Sequence, residues 1–96
     1  MTRDEVLRIL SEHRAELERL GVKSLALFGS LVRNEAGPES DVDLLVEFSR
    51  PVGLFHFVDV KWFLEGLLGC KVDLGTPDSL RPRIRERVLK EAVRVP

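Results

Sequence analysis

A single cysteine, Cys70, stands in a chain of 96 residues. That excludes an internal disulfide and any cysteine-rich zinc site. No apolar run approaches the ~18 residues a membrane span needs. The opening residues, MTRDEVLRIL, lack the basic-then-apolar layout of a secretory leader. A surplus of positive charge is also missing: 15 Lys and Arg stand against 16 Asp and Glu, a net charge of −1. Nucleic-acid binders ordinarily carry a basic surplus, so direct nucleic-acid binding is not expected. There is no internal repeat, no low-complexity tract and no linker long enough to divide the chain. These absences lead to the expectation of one soluble, cytoplasmic domain over residues 1–96, without membrane association.

What is present fits that expectation. The chain is 44% hydrophobic and 32% charged, too apolar for a disordered segment. A folded unit of this length has a radius of gyration of ~12–13 Å and room for one core rather than two. Its charge is uneven. Residues 81–96 carry six basic side chains (Arg81, Arg83, Arg85, Arg87, Lys90, Arg94) and two acidic ones, Glu86 and Glu91, a balance of +4. Residues 1–80 carry nine basic and fourteen acidic, a balance of −5. The basic tail reads first as a solvated helix face, and second as a docking surface for an acidic partner or a polyphosphate.

The pattern of apolar residues predicts the order α-β-α-β-α-β-α. Thr2 and Glu5 form a T-x-x-E capping box, and Val6, Leu10, His13, Leu17 and Leu20 make one helical stripe that Gly21 closes. Ser24 to Phe28 is a short buried strand, and residues 30–36 read as a short helix broken by Gly37-Pro38-Glu39-Ser40. Asp41 to Phe48 is the second strand. Residues 50–53 turn into a helix over Leu54 to Leu68, in which ten of fifteen residues are apolar, and Gly69 ends it. Lys71 to Leu74 is a third strand, 76–79 a loop with capping residues, and Pro82 opens a last helix with Ile84, Val88 and Ala92 in a stripe. Such an order builds an α/β fold: a small mixed sheet of three or four strands flanked by helices.

Three features of this order carry chemistry. Gly29-Ser30 sits where a strand leaves the sheet, and free backbone N–H groups at such a place favour phosphate. Asp41 and Asp43 alternate with the core positions Val42, Leu44 and Val46, so both carboxylates project from the same face. Two such carboxylates repel each other unless cations lie between them. Mg²⁺ takes oxygen ligands, commonly one or two carboxylates plus substrate phosphates. A third carboxylate, Asp73, lies on the third strand between Val72 and Leu74. If that strand neighbours the second, Asp73 faces the pair, and three carboxylates around two ions ~3.5–4 Å apart could run displacement at phosphorus.

The stretch Gly29-Ser30-Leu31-Val32-Arg33-Asn34-Glu35-Ala36-Gly37-Pro38-Glu39-Ser40-Asp41-Val42-Asp43-Leu44-Leu45-Val46 resembles the signature of the minimal nucleotidyltransferases, within the DNA-polymerase-β-like superfamily. The later segment KVDLGTPDSLRPRIRERVLKEAV is similar to the end of the same small proteins. Together they cover the chain from about Ser24 to Val93. The resemblance implies the polymerase-β-like nucleotidyltransferase fold. It also implies that Gly29 and Ser30 hold the phosphates of ATP, with Arg33 and Ser40 as further phosphate contacts. By the same resemblance, Asp41, Asp43 and Asp73 are the catalytic and metal-binding residues, holding two Mg²⁺ ions or Mn²⁺ in their place, with Asp73 toward the attacking hydroxyl. It implies a role as antitoxin to a HEPN-domain ribonuclease toxin, in complex with it, by transfer of AMP from ATP to a toxin tyrosine. The alternative is an antitoxin that neutralises its partner by binding alone, with a nucleotide-binding or vestigial site. Two positions depart from the family pattern: Asn34 stands where Gly is frequent, and Gly75 where an apolar residue is usual.

The remaining residues have plainer expected fates. His13 on the apolar stripe reads as a packed histidine. His56 has no Cys or His spaced to share a zinc ion, and Cys70 reads as a small buried hydrophobe. Trp62, Phe55, Phe57 and Phe63 read mainly as core. A single sheet cannot bury a helix that is apolar on most sides, so part of this group is expected at a partner interface.

Overall fold

Alternation along the strands decides the architecture, because each strand offers one fully apolar face. In a computed structural model, which describes residues 2–29, 31–33 and 41–96, β1 spans Val22–Phe28, β2 Val42–Phe48, β3 Val72–Gly75 and β4 Val93–Arg94. They form one sheet in the order β3-β2-β1-β4. β1 runs antiparallel to β2 and to β4, while β2 and β3 are parallel. Leu25 and Leu27 of β1, Val42, Leu44 and Val46 of β2, and Val72 and Leu74 of β3 are buried on one face. Helices cover that face: α1 (Arg3–Glu12) through Val6 and Leu10, α2 (Arg14–Arg19) through Leu17, and α3 (Leu54–Leu68) through Val60, Leu64 and Leu68. The radius of gyration is 12.6 Å, in the range expected for one core. No helix among the described residues is long and apolar enough to cross a membrane. The mixed sheet flanked by helices is the architecture that the order of apolar segments predicts, with the fourth strand present.

Local departures have local causes. The first helix does not run unbroken to Leu20. The His13 ring contacts the Ile9 carbonyl through Nδ1 at 2.8 Å, and the His13 backbone N–H bonds Leu10 instead. A side chain that takes up the carbonyl owed to its own backbone breaks the ladder, so α1 ends and α2 begins across His13. β1 starts at Val22, earlier than Ser24. Of the helix expected over 30–36, Leu31 to Arg33 form a turn and Leu31 is buried. Ser30 and residues 34–36 lie outside the described residues, Asn34 among them. Gly75 belongs to β3, opposite Leu45. A Cβ there would meet the Ser79 hydroxyl at 3.2 Å, a tight contact. After β3 a short 3-10 turn, Pro77–Ser79, leads into α4 (Pro82–Glu91), which returns the chain to the far edge as β4.

α3 divides its apolar residues between two sides. Val60 and Leu64 are fully buried, and Phe57, Phe63 and Leu67 pack partly against the core. Phe55 is 87% exposed and Trp62 64%, so these two, expected mainly as core, lie on the solvent side. The helix ends at Gly69, whose φ of 68° is the left-handed cap that glycine supplies most easily. The division sets a test. Leu64→Ala should cost ~2–5 kcal/mol of folding stability by leaving a cavity. Trp62→Ala should stay within about 0.5 kcal/mol of the parent, both measured by urea unfolding. A large loss at Trp62 would place that ring in the core after all.

Candidate active site

The end of β1 and the starts of β2 and β3 meet at one edge of the sheet. Antiparallel pairing brings Phe28 opposite Asp43, and parallel pairing brings Asp73 opposite Asp43. Side chains alternate, so with Val42 and Leu44 turned into the core, Asp43 projects from the other face. Gly29 follows Phe28 with φ 81°. A Cβ on it would run into the Asp43 carboxylate, with Asp43 Cγ 3.1 Å away. Glycine is therefore needed here twice, for the left-handed backbone and for the carboxylate packed against it. Gly29→Ala should destabilise the fold by at least ~1 kcal/mol, read from thermal unfolding, because it meets both penalties.

Asp43 is the electrostatic centre. Partial burial pushes its carboxyl up from the ordinary value, and the negative charges of Asp73 and then Asp41 push it further. A hydrogen-bonding contact with the Asp73 carboxyl acts in the same direction. Asp41 and Asp73 are themselves exposed. Asp43 and Asp73 are thus brought into direct contact, with Asp41 acting on the pair through space. Among the described residues, no three His, Cys, Asp or Glu side chains converge as a ready-made cage for one ion. Two crowded carboxylates fit a hard divalent cation that completes its shell with oxygens from a phosphate and water, which is the habit of Mg²⁺. Their mutual repulsion is what such an ion would relieve.

The other expected site residues are distributed differently. Ser30 and Ser40 lie outside the described residues. Arg33 follows the buried Leu31 and pairs with Glu91 of α4 at 3.3 Å, both side chains half-exposed. This pair ties the turn after β1 to α4 across 58 residues of sequence, a link no local pattern announces. Beyond Asp73, at the free edge of β3, lies an open cleft of about 330 Å³ bordered by Asp41, Lys61, Glu65, Lys71, Val72 and Asp73. Lys61 and Lys71 were not among the residues the motifs single out. Their only sequence signal is position: Lys71 directly precedes β3, and Lys61 lies one helical turn before Glu65. A larger groove of about 590 Å³ lies at the opposite end of β2, around Phe48, Arg50 and Leu54, and holds none of the three aspartates.

Other groups that the sequence raised have plainer places. Burial pushes the Cys70 thiol up, away from the thiolate a nucleophile needs. His56 bonds the Leu20 carbonyl and meets the edge of the Phe48 ring, which makes it a clasp between α2 and α3. On the basic tail, Arg87 pairs with Glu91, and Lys90 with Glu86, one helical turn apart. These pairs balance two of the six basic side chains of residues 81–96.

The crowding at Asp43 has a measurable sign. Because the folded protein holds the Asp43 proton more tightly than the unfolded chain does, ionisation of this group costs stability at neutral pH. The cost disappears as pH falls through the carboxylate range. With chelator present, Asp43→Asn should unfold at the same or a higher temperature than the parent near pH 7, and the advantage should shrink toward about pH 4. Calorimetry at both pH values checks this, and a clear loss of stability near neutrality would contradict it.

Comparison with known proteins agrees with this geometry. Residues 9–95 match the family model described as nucleotidyltransferase domain. The chain is 45% identical over 96 residues to protein adenylyltransferase MntA of Thermococcus cleftensis, covering 99% of this chain and 97% of that one. A solved chain provisionally described as a minimal nucleotidyltransferase superposes with a TM-score of 0.78 at 42% identity, covering 93% of this chain and 92% of that chain. A chain from the complex of tri-AMPylated Shewanella oneidensis HEPN toxin with MNT antitoxin shares the fold, at a TM-score of 0.64 and 16% identity, over 93% of this chain and 71% of that one. With the family match spanning nearly the whole length and the glycine and aspartates gathered at one sheet edge, the chain belongs to the nucleotidyltransferase domain family.

Proposed function

We propose that this protein is a metal-dependent protein adenylyltransferase that acts as an antitoxin, moving AMP from ATP to a tyrosine hydroxyl of a HEPN-type ribonuclease toxin. The observation that carries this reading is the contact of Gly29, Asp43 and Asp73 across three neighbouring strands. The near full-length likeness to a protein adenylyltransferase supports the choice of reaction. Structural likeness to chains of toxin–antitoxin complexes supports the choice of partner through the fold alone.

In this reading Gly29 and Ser30 seat the triphosphate, with Arg33 and Ser40 as further contacts. Arg33 would leave Glu91 or share it with a phosphate. Asp41, Asp43 and Asp73 would hold Mg²⁺ or Mn²⁺, and bound ions would supply charge neutralisation for the phosphates. The acceptor oxygen forms a bond to the α-phosphorus of ATP. The bond from that phosphorus to the bridging oxygen breaks, and pyrophosphate leaves. Asp73, exposed at the β3 side, would take the hydroxyl proton. Such a reaction needs position and charge more than covalent help from the protein, which suits a site built of aspartates and one glycine. A second reading, neutralisation by complex formation alone, draws on Leu54, Phe55 and Trp62, which leave an apolar surface on α3.

Both readings meet in one experiment. The protein is incubated with its HEPN toxin, Mg²⁺ and ATP labelled at the α-phosphate, and toxin labelling and RNase activity are followed together. Asp41→Asn and Asp43→Asn should each lower labelling by more than the ~10–100-fold typical of groups that merely support a metal ligand, and RNase activity should return. Asp73→Asn should lower turnover while sparing more of the ATP binding. ATP affinity by calorimetry should drop when a chelator is added. Full neutralisation by all three variants without label transfer would establish the second reading instead.

A further inference from the structure

The cleft at the free edge of β3 shares Asp41 and Asp73 with the proposed site and extends beyond them to Lys61, Glu65 and Lys71. Its place relative to Gly29 is informative. In the sheet order, β1 with Gly29 lies on one side of β2 and β3 lies on the other. If the triphosphate is seated toward Gly29, the leaving pyrophosphate departs on the β1 side. The attacking and leaving oxygens at phosphorus lie roughly in line. The attacking oxygen must therefore arrive from the β3 side, where the cleft is.

The charges lining the cleft differ in what they are already doing. Glu65 accepts a hydrogen bond from the Val72 backbone N–H at 3.1 Å, so this carboxylate holds the start of β3 against α3. Asp41 and Asp73 are committed to the catalytic cluster. Lys71 is fixed by its backbone, whose carbonyl accepts from the Val42 N–H at 3.1 Å. Neither lysine ammonium forms an ion pair with any described residue. Once the aspartates are neutralised, the charge left facing the cleft is that of Lys61 and Lys71 against the single carboxylate of Glu65, which leaves the balance positive.

We propose that this cleft is the acceptor subsite, and that Lys61 and Lys71 select a hydroxyl-bearing peptide segment flanked by carboxylates. The inference rests on the nucleotidyltransfer reading, which already brings the acceptor hydroxyl to Asp73, and adds the charge of the segment that carries it. Lys61 and Lys71 are specificity residues here: they meet the acceptor's flanking residues and leave the reacting atoms to the aspartates.

The test uses the full-length protein with Mg²⁺ and α,β-methylene-ATP, which cannot transfer its nucleotide. Nucleotide affinity is measured first, by calorimetry. Fluorescent peptides with a central tyrosine flanked by glutamates, by arginines or by serines are then titrated and followed by anisotropy. The glutamate peptide should bind best. The double variant Lys61→Glu/Lys71→Glu should weaken it by about tenfold or more and should gain affinity for the arginine peptide, with nucleotide affinity unchanged. Lys61→Gln/Lys71→Gln should fall between the two, which separates charge from misfolding. Equal binding of the three peptides, no binding at millimolar concentration, or no response to charge reversal would overturn the inference while leaving the proposed reaction standing. Tighter binding of a single-stranded oligoribonucleotide than of the glutamate peptide would overturn the choice of a peptide. Failure of the parent protein to bind the nucleotide at all would remove the proposed reaction, and this inference with it.

Discussion

Parallel pairing of β2 with β3 puts Asp43 directly opposite Asp73, and much of the molecule serves to hold that juxtaposition. The same register sets Val42 beside Val72 and Leu44 beside Leu74 on the other face. There they are sealed by Val60, Leu64 and Leu68 of α3 and by Val6 and Leu10 of α1. Each fully buried aliphatic side chain contributes about 1.5–3 kcal/mol, so a few of them outweigh the repulsion between two half-solvated carboxylates. Strand alternation does the rest: it cannot bury the valines and leucines without presenting the aspartates together. The acidic edge is thus a forced result of packing on the reverse side. That is why the site can be electrostatically unfavourable without ions while the strands beneath it stay paired.

The aspartates were legible in sequence because their signal is local. Asp43 and Asp73 each sit between apolar residues and Asp41 stands two residues before Asp43, so a period of two assigns them to a face without knowledge of the partner strand. Gly29 was legible for the same reason, as the glycine closing SLALF. Its second requirement, the Asp43 carboxylate in the space a Cβ would take, depends on a hairpin pairing and could not be read. The break at His13 was hidden because the residue fits the apolar stripe. Only the contact of its ring with the Ile9 carbonyl shows that it interrupts the helix. For the aromatics of α3, composition assigned the group mainly to the core with part of it outside, and only the rotation of α3, fixed by Val60, Leu64 and Leu68, decides that Phe55 and Trp62 are the ones turned outward. The Arg33–Glu91 pair and the lysines at the β3 edge are long-range facts, carried by no spacing along the chain.

The helices share the work unequally. α1 and α2 cover one side of the core and α3 closes it, while α4 contributes no buried residue and presents Ile84 and Leu89 half-exposed. Its link to the rest is largely polar. Arg85 donates to the carbonyls of Asp78 and Leu80, and Glu91 receives Arg33. Ion pairs of this exposure are worth little energetically. Their value here is positional, since they connect the segment after Gly29 to the element that carries the chain from β3 to β4.

That last element, β4, has only two residues in the ladder, Val93 opposite Leu27 and Arg94 opposite Ala26, with Val95 bonded just beyond to the Leu25 carbonyl. Its length understates its effect. The outward edge of β1 carries backbone groups of an apolar strand, and an open edge of that kind can recruit a strand from another molecule. Three residues at the end of the chain are enough to occupy it, and Val95 adds a buried side chain to the seal. Lifting this short clasp would leave the catalytic edge untouched and turn the opposite side of the sheet into a template for polymerisation.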